Sequence, residues 1–239
     1  MSESKDPTFY GDSGYERLAK DRYFTDPWIT NALRLAMPEV AGVDLRSPGG
    51  TRRIVWEPAA GRGDIADVLA DSPSVNVFCS DIDLSELKPH HMWYEKCDFL
   101  NDFPTNLDPW DIDGIVTNPP FVNNMCESFI RRAVDMGVDF VAMLTRLEFG
   151  SAKKRMDLFR RPDYAGEIKL TTRPRWDWWW KSTDEIAKSE GPRHYYSWHV
   201  WTLSKPSAAL PVQVHVSEGE ADLFAGSKPG VISLRNFRG

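Results

Sequence analysis

Four short apolar runs, each closing on a turn and separated by helix-like stretches, constrain this chain more than any other feature. Arg53-Ile54-Val55-Trp56-Glu57 and Val75–Asp81 read as strands, as do Ile112–Thr117 and Asp139–Thr145. Residues 64–69 and 124–136 fall between them, the second with Met125, Phe129, Ala133 and Met136 at helical core spacing. Strands that alternate with helices are joined by crossovers, and crossovers give a mostly parallel sheet covered on both faces. Further along, Glu167–Thr172 and Tyr195–Leu203 read as strands, the latter alternating aromatic and apolar residues as a hairpin strand does. The expected architecture is α/β: a Rossmann-like, mostly parallel, seven-stranded sheet with helices on both faces and a late antiparallel hairpin strand.

A length of 239 residues suits one such domain with a small appendage. Residues 1–20 are polar and turn-rich and read as a flexible N-terminal segment. Residues 21–205 form the main domain, within which 165–192 read as a substrate-recognition loop. Residues 206–239, with several Pro and Gly, read as a partly irregular C-terminal extension. Ahead of the first strand, Thr25 or Asp26 can cap a helix that has Pro27 at its first position and an apolar stripe of Trp28, Ile29, Ala32, Leu33 and Ala36.

Three scattered cysteines, Cys79, Cys97 and Cys126, fit neither a disulfide framework nor a zinc site, and a reducing cytoplasm is the matching compartment. No long apolar run suggests a membrane partner. His194 and His199, without carboxylate or cysteine companions, read as sheet residues, so no metal is expected. The net charge of −6 is unevenly spread: from Arg146 to Lys181 ten Lys or Arg stand against five Asp or Glu. A basic face on an acidic body is compatible with binding a polyanion.

The first strand runs into Glu57-Pro58-Ala59-Ala60-Gly61-Arg62-Gly63. Glycines between a strand and a helix let the backbone approach a ligand, and the helix start offers free N–H groups. Asp81, closing the next strand, can hold two ribose hydroxyls. Asp98, in Cys97-Asp98-Phe99-Leu100, can face an adenine amino edge with Phe99 packed near the ring. Glu57 before the loop repels phosphate but suits a cation, so S-adenosylmethionine, with its sulfonium and ammonium groups, fits better than a dinucleotide.

After the third strand stands Asn118-Pro119-Pro120-Phe121. The lone pair of an exocyclic amine or carboxamide is delocalised and a poor nucleophile. A site that alkylates it needs acceptors for its N–H groups and a flat apolar surface to fix its plane. The Asn118 side-chain oxygen and the Pro119 carbonyl can be those acceptors, two prolines stiffen the loop, and Phe121 can stack on the planar group. The segment Arg173-Pro174-Arg175-Trp176-Asp177-Trp178-Trp179-Trp180-Lys181 places four tryptophans and three cations in nine residues, a composition suited to extruded bases and their phosphates.

Tyr23-Phe24-Thr25, Glu57-Pro58 with Gly61 and Gly63, Asp81, Asp98-Phe99 and Asn118 to Phe121, in that order, resemble the class I S-adenosylmethionine-dependent amino-methyltransferases. Among these the chain is most similar to the small adenine-N6 DNA methyltransferases of phages and prophages, over roughly residues 20 to 203. The resemblance implies the class I methyltransferase fold. It implies that Phe24 and Thr25 line the methionine end of the cofactor, with Glu57, Pro58, Ala59, Gly61 and Gly63 along its backbone. Asp81 would bind the ribose, Asp98 and Phe99 the adenine, and Asn118 to Phe121 the target base, with Asn118 also beside the cofactor. Arg146, Lys154, Arg155, Arg173, Arg175, Trp176 and Trp178 are then candidates for gripping nucleic acid, DNA by the resemblance. Asp26 stands where relatives commonly carry proline after the Phe-Thr pair. Two other readings remain: the same chemistry on RNA adenine or a protein glutamine, and a non-catalytic interaction protein that retains the fold. Intact cofactor and acceptor motifs argue against the last. The oligomeric state is not legible in the sequence.

Overall fold

The computed structural model describes residues 25–46, 52–91, 93–174, 194–203 and 210–227. Along them run α1 (Pro27–Val40), β1 (Arg53–Glu57), α2 (Asp64–Ala70), β2 (Val75–Asp81), β3 (Tyr94–Lys96), β4 (Gly114–Thr117) and α3 (Met125–Asp135). There follow β5 (Phe140–Arg146), α4 (Met156–Phe159), β6 (Tyr164–Leu170), β7 (Tyr196–Thr202), β8 (Val212–Val216) and α5 (Glu218–Ala225). These eight strands form one sheet in the order β3-β2-β1-β4-β5-β7-β6-β8. β7 pairs antiparallel with both β5 and β6, and the other pairings are parallel.

The sheet therefore has eight strands rather than the expected seven. β3, at three residues, is too short to carry a periodic signal. β8 lies inside 206–239, where Pro and Gly mask the alternation Val212-Gln213-Val214-His215-Val216. The α5 helix of the same stretch starts on a capping box, with Ser217 and Glu220 bonded to each other's backbone. Residues 165–170, expected both as the start of a recognition loop and, from Glu167, as a strand, are the body of β6. Ile168 and Leu170 are buried there, and β6 is paired on both sides.

Helices α1, α2 and α5 share one apolar core with the sheet face carrying Val55, Val116, Phe140, Trp198 and Val200. Helices α3 and α4 cover the other face, over Trp56, Ile115, Val141 and Trp201. The two faces follow from strand alternation. In β7, Trp198 turns to one side and donates its indole N–H to the Ile29 carbonyl at 2.9 Å; Trp201 turns to the other and donates to Leu158 at 3.1 Å. A buried indole without such a partner would cost about 1–3 kcal/mol. Arg34, buried in α1, donates to the Val68 carbonyl at 2.9 Å and ties α1 to α2, and burial brings its pKa down to about 10.

The three cysteines are free and buried, and burial pushes Cys97 up to about 11 and Cys126 up to about 12. Neither thiol offers a thiolate near neutral pH. Among the described residues no helix is long and apolar enough to cross a membrane.

Candidate active site

Parallel pairing of β1 with β2 and with β4 sets Glu57 beside Cys79 and Trp56 beside Ile115. The loops that leave these three strands consequently share one edge of the sheet, and they carry the glycine turn, Asp81 and Asn118.

The glycine turn is shaped by backbone conformations that only glycine adopts cheaply. Gly61 and Gly63 have φ of +54° and +81°. Gly63 leads into α2, and a methyl group there would overlap the His91 ring as well. The Gly61 N–H donates to Asp81 Oδ2 at 2.9 Å, and the Asp83 N–H donates to Asp81 Oδ1 at 3.0 Å. Each carboxylate oxygen keeps a further lone pair, so Asp81 can still accept two hydroxyl hydrogens. Pro58 is buried and Ala59 half-buried within the same turn.

Glu57, only 2% exposed, accepts the Ala66 N–H at 2.9 Å. Burial, reinforced by the Asp64 carboxylate, raises its pKa well above the usual carboxyl range, although the Ala66 N–H pulls the other way. Asp64 is neutralised by Arg62 and Lys88, each at 2.9 Å. Asp67 accepts from Lys88 and lies 2.6 Å from His90 Nε2 and 3.0 Å from His91 Nε2. Burial acts against it, but the bonds from Lys88 and His90 hold the Asp67 carboxyl below its ordinary value. This cluster pins the link between β2 and β3 onto α2. One carboxylate and two ring nitrogens come within 4.8 Å there, with the Lys88 ammonium already on the same carboxylate.

Asp98 is half-buried and accepts from the Leu100 N–H at 3.0 Å and the Asn101 amide at 2.7 Å. The Phe99 ring, expected beside a bound adenine, is a core side chain instead. It is 1% exposed, edge-on to Trp56 at 5.0 Å and tilted against Phe129 at 4.8 Å. Its role is to anchor the turn that presents Asp98.

On the acceptor side, Asn118 leaves β4 and donates its amide N–H to Thr25 Oγ1 at 3.2 Å. Thr25, buried just ahead of α1, thereby joins the loop entering α1 to the Asn-Pro-Pro-Phe turn across 93 residues of sequence. Pro119 is buried; Pro120 and Phe121 are half-buried. The Phe121 ring meets Tyr196 edge-on at 5.8 Å, and the Arg146 guanidinium lies 5.9 Å from its centre. Tyr196 carries no site role in the sequence reading; its signal is the aromatic alternation of β7, which marks only a hairpin strand.

The candidate nucleic-acid residues divide. Arg173 stacks over Tyr195 at 4.4 Å, on an exposed corner of the molecule. Lys154 is exposed and donates to Asn124 at 3.0 Å. Arg155 does not present a free cation: it donates to Glu127 and to the Phe149 carbonyl and packs over the Phe149 ring at 4.0 Å. Its charge is used to fasten α3 to the turn after β5. Phe24, Arg175, Trp176 and Trp178 lie outside the described residues.

The crossover topology and the strand order with an antiparallel β7 define a Rossmann-like α/β fold, with the loops after β1, β2 and β4 at one sheet edge. Solved structures similar to it include the DrdV–DNA complex, at 13% identity and a TM-score of 0.56. That match covers 94% of this chain and 31% of that one, so the chain corresponds to under a third of the longer protein. A protein from Lactococcus lactis, described provisionally as a hemolysin, matches at 9% identity and a TM-score of 0.51, over 85% of this chain and 97% of that one. A protein from Agrobacterium tumefaciens assigned as an O-methyltransferase matches at 13% identity and a TM-score of 0.48, over 80% and 86%. No family model and no curated protein matches the sequence.

Proposed function

We propose that the protein transfers a methyl group from S-adenosylmethionine to the exocyclic N6 amine of adenine in DNA. The observation that carries this reading is the bond between Asn118 and Thr25. It brings the acceptor turn and the loop entering α1 together, at the sheet edge where Gly61 is bonded to Asp81.

The residues present fit the cofactor. The left-handed backbone at Gly61, where an added Cβ would meet nothing within 4 Å, leaves open main chain along which a ligand can lie. Asp81 retains acceptor capacity for a ribose, and the carboxyl groups of Glu57 and Asp81 favour a cation. S-adenosylmethionine supplies a methyl group activated by its sulfonium. The chain supplies alignment and charge stabilisation: Asn118 and the Pro119 carbonyl accept the amine hydrogens, so positive charge growing on nitrogen is drained towards them. Phe121, braced by Tyr196 and Arg146, fixes the plane of the base. A base within a duplex must first be rotated out of the stack, at a cost of a few kcal/mol, which stacking on Phe121 partly offsets. That a protein with a similar fold is known as a complex with DNA agrees with this acceptor.

Incubation with tritiated S-adenosylmethionine and separate DNA, RNA and protein acceptors tests the proposal, with digestion of labelled product to nucleosides. Label in N6-methyldeoxyadenosine is expected. Label in RNA or in glutamine would move the acceptor while preserving the chemistry, and no binding of S-adenosylmethionine by calorimetry would leave only a scaffold.

A further inference from the structure

On the sheet face that α3 seals with apolar side chains over the early strands, the late strands present polar ones. His199 of β7 is in register with Glu167 of β6, and Glu167 with Gln213 of β8, so the three project from one face as a row. Ser197, Lys169 and His215 form the next row. Above them lies a groove of about 760 Å³, walled by Phe159, Tyr164 and Tyr195 and floored by His199, Glu167 and Gln213. That volume falls within the roughly 300–1,000 Å³ of small-molecule sites.

The floor holds polar atoms that the fold leaves unsatisfied. His199 is 2% exposed; its Nδ1 lies 2.9 Å from the Tyr164 hydroxyl, and its Nε2 has no hydrogen-bond partner among the described residues. That edge of the ring faces Gly150, where the missing side chain leaves room. The Ser197 hydroxyl, two residues back along β7 and beneath the floor rather than in it, is likewise fully buried without a partner among the described residues. Buried polar atoms left open in this way point to a ligand.

We propose that this groove is a second nucleobase pocket, which receives a base flanking the target adenine and so sets which sequences are modified. The inference rests on the nucleic-acid reading above. Its placement follows from continuity with the acceptor turn. Leu147 and Tyr195 line the groove and are bonded to each other, N–H to carbonyl, at 3.0 Å. Their chain neighbours Arg146 and Tyr196 are the residues that flank Phe121. Phe121 and Tyr196 belong to the sheet face covered by α1, and the groove to the other face, so the two walls meet around the end of β5 and β7, one residue step apart.

The lining selects a base over a phosphate. Glu148 and Glu167 repel an anion, whereas Glu167 can accept from an exocyclic amine, and His199, Gln213 and Lys169 can meet ring nitrogens or carbonyls. Tyr195, whose ring carries the Arg173 guanidinium at 4.4 Å, and Phe159 offer flat apolar surface. A free nucleoside has the same chemistry as a base in a strand, and the test separates them.

The experiment measures kcat/KM for a panel of duplex oligonucleotides that hold one target adenine and vary each neighbouring position. Wild type is compared with Glu167→Gln and with Gln213→Ala, at the exposed sheet edge. Thermal melting and S-adenosylmethionine affinity are expected to be unchanged. The ranking of bases at one or two flanking positions should shift by roughly tenfold or more, the scale of a lost base-edge contact. An equal loss on all oligonucleotides, or an unchanged ranking in both variants, overturns the pocket while leaving methyl transfer to DNA standing. If wild type labels no nucleic acid at all, both readings fall together. Calorimetry with the four free deoxynucleosides is the second arm: binding tighter than about 10 μM with an unaltered ranking would assign the groove to a soluble nucleoside and overturn its assignment to the strand.

Discussion

The β1–β2 side of the sheet and the β5–β7 side both end in loops to which the proposal assigns a ligand, but different parts of the chain shape them. At the β1–β2 side the geometry is set by main chain: two glycines at positive φ, and carboxylates of Glu57 and Asp81 that accept backbone N–H groups. At the β5–β7 side it is set by side chains: the rings of Phe121 and Tyr196, the Arg146 guanidinium, and the polar row of His199, Glu167 and Gln213. The difference separates two kinds of failure. Damage to the first side should act through conformation and reach cofactor binding and stability together. Damage to the second should act on the acceptor and leave the cofactor in place.

The sharpest way to break that separation is at Asn118, which belongs to the acceptor turn yet touches Thr25. Asn118→Ala removes a preorganised acceptor at the reacting nitrogen and should lower kcat by about 10²–10³-fold. S-adenosylmethionine affinity measured by calorimetry should stay within about threefold, the scale of one modest hydrogen bond. A fall in affinity as large as the fall in turnover would mean that the two sides act as one unit.

Gly63→Ala tests the main-chain side. At φ +81° an L-residue costs about 1–2 kcal/mol, and the added methyl must also displace the His91 ring. A total loss of about 2–3 kcal/mol in urea unfolding is expected. Placing Gly63→Ala in a His91→Ala background should recover the steric part and leave the conformational part. Equal costs in both backgrounds would show that His91 does not restrain the turn.

How far these regions were legible in the sequence follows the same division. β1, β2 and the glycine turn declare themselves because signal and structure are both local: an apolar run, two glycines, then an acid at the end of the next strand. The packing of His91 on Gly63 does not, because it joins positions 28 residues apart across a link with no periodicity. Phe99 and Arg155 mislead for a related reason. Motif position cannot tell a ring that lines a pocket from one that fills the core behind it, nor a free cation from one held by Glu127. β8 was hidden by composition: five alternating residues are outweighed by the Pro and Gly around them until parallel pairing with β6 gives the alternation a face to bury.

The two sides should also differ in how they respond to pH. Burial brings His199 down to about 3 from its usual 6.5. The folded state therefore resists a proton that the unfolded chain accepts below about pH 6.5. This group's contribution is fully present above pH 6.5 and is lost as pH falls towards 3, at up to about 1.4 kcal/mol per pH unit. His199→Gln removes the titration. Its unfolding free energy, followed by urea titration from pH 7 to pH 5, should fall by about 1–2 kcal/mol less than that of wild type. Parallel curves would mean that the ring is reached by solvent, and the groove would then be a wet surface rather than a pocket.

Glu57 runs the other way and gives the smallest effect. Its carboxyl binds a proton more tightly folded than unfolded, because burial and then the neighbouring Asp64 oppose its charge. Its stabilising contribution is present below the ordinary carboxyl range and is lost as pH climbs through the raised value. Glu57→Gln keeps an oxygen for the Ala66 N–H and removes the charge, so the variant should melt higher than wild type, by a margin that widens with pH. The same change should weaken S-adenosylmethionine, since a bound cation gains from the carboxylate that the empty fold finds costly. A variant that is more stable and binds less well is the signature of an acid retained for its ligand. One that is more stable with unchanged affinity would place Glu57 in the architecture of the α2 entry and leave the cation to Asp81.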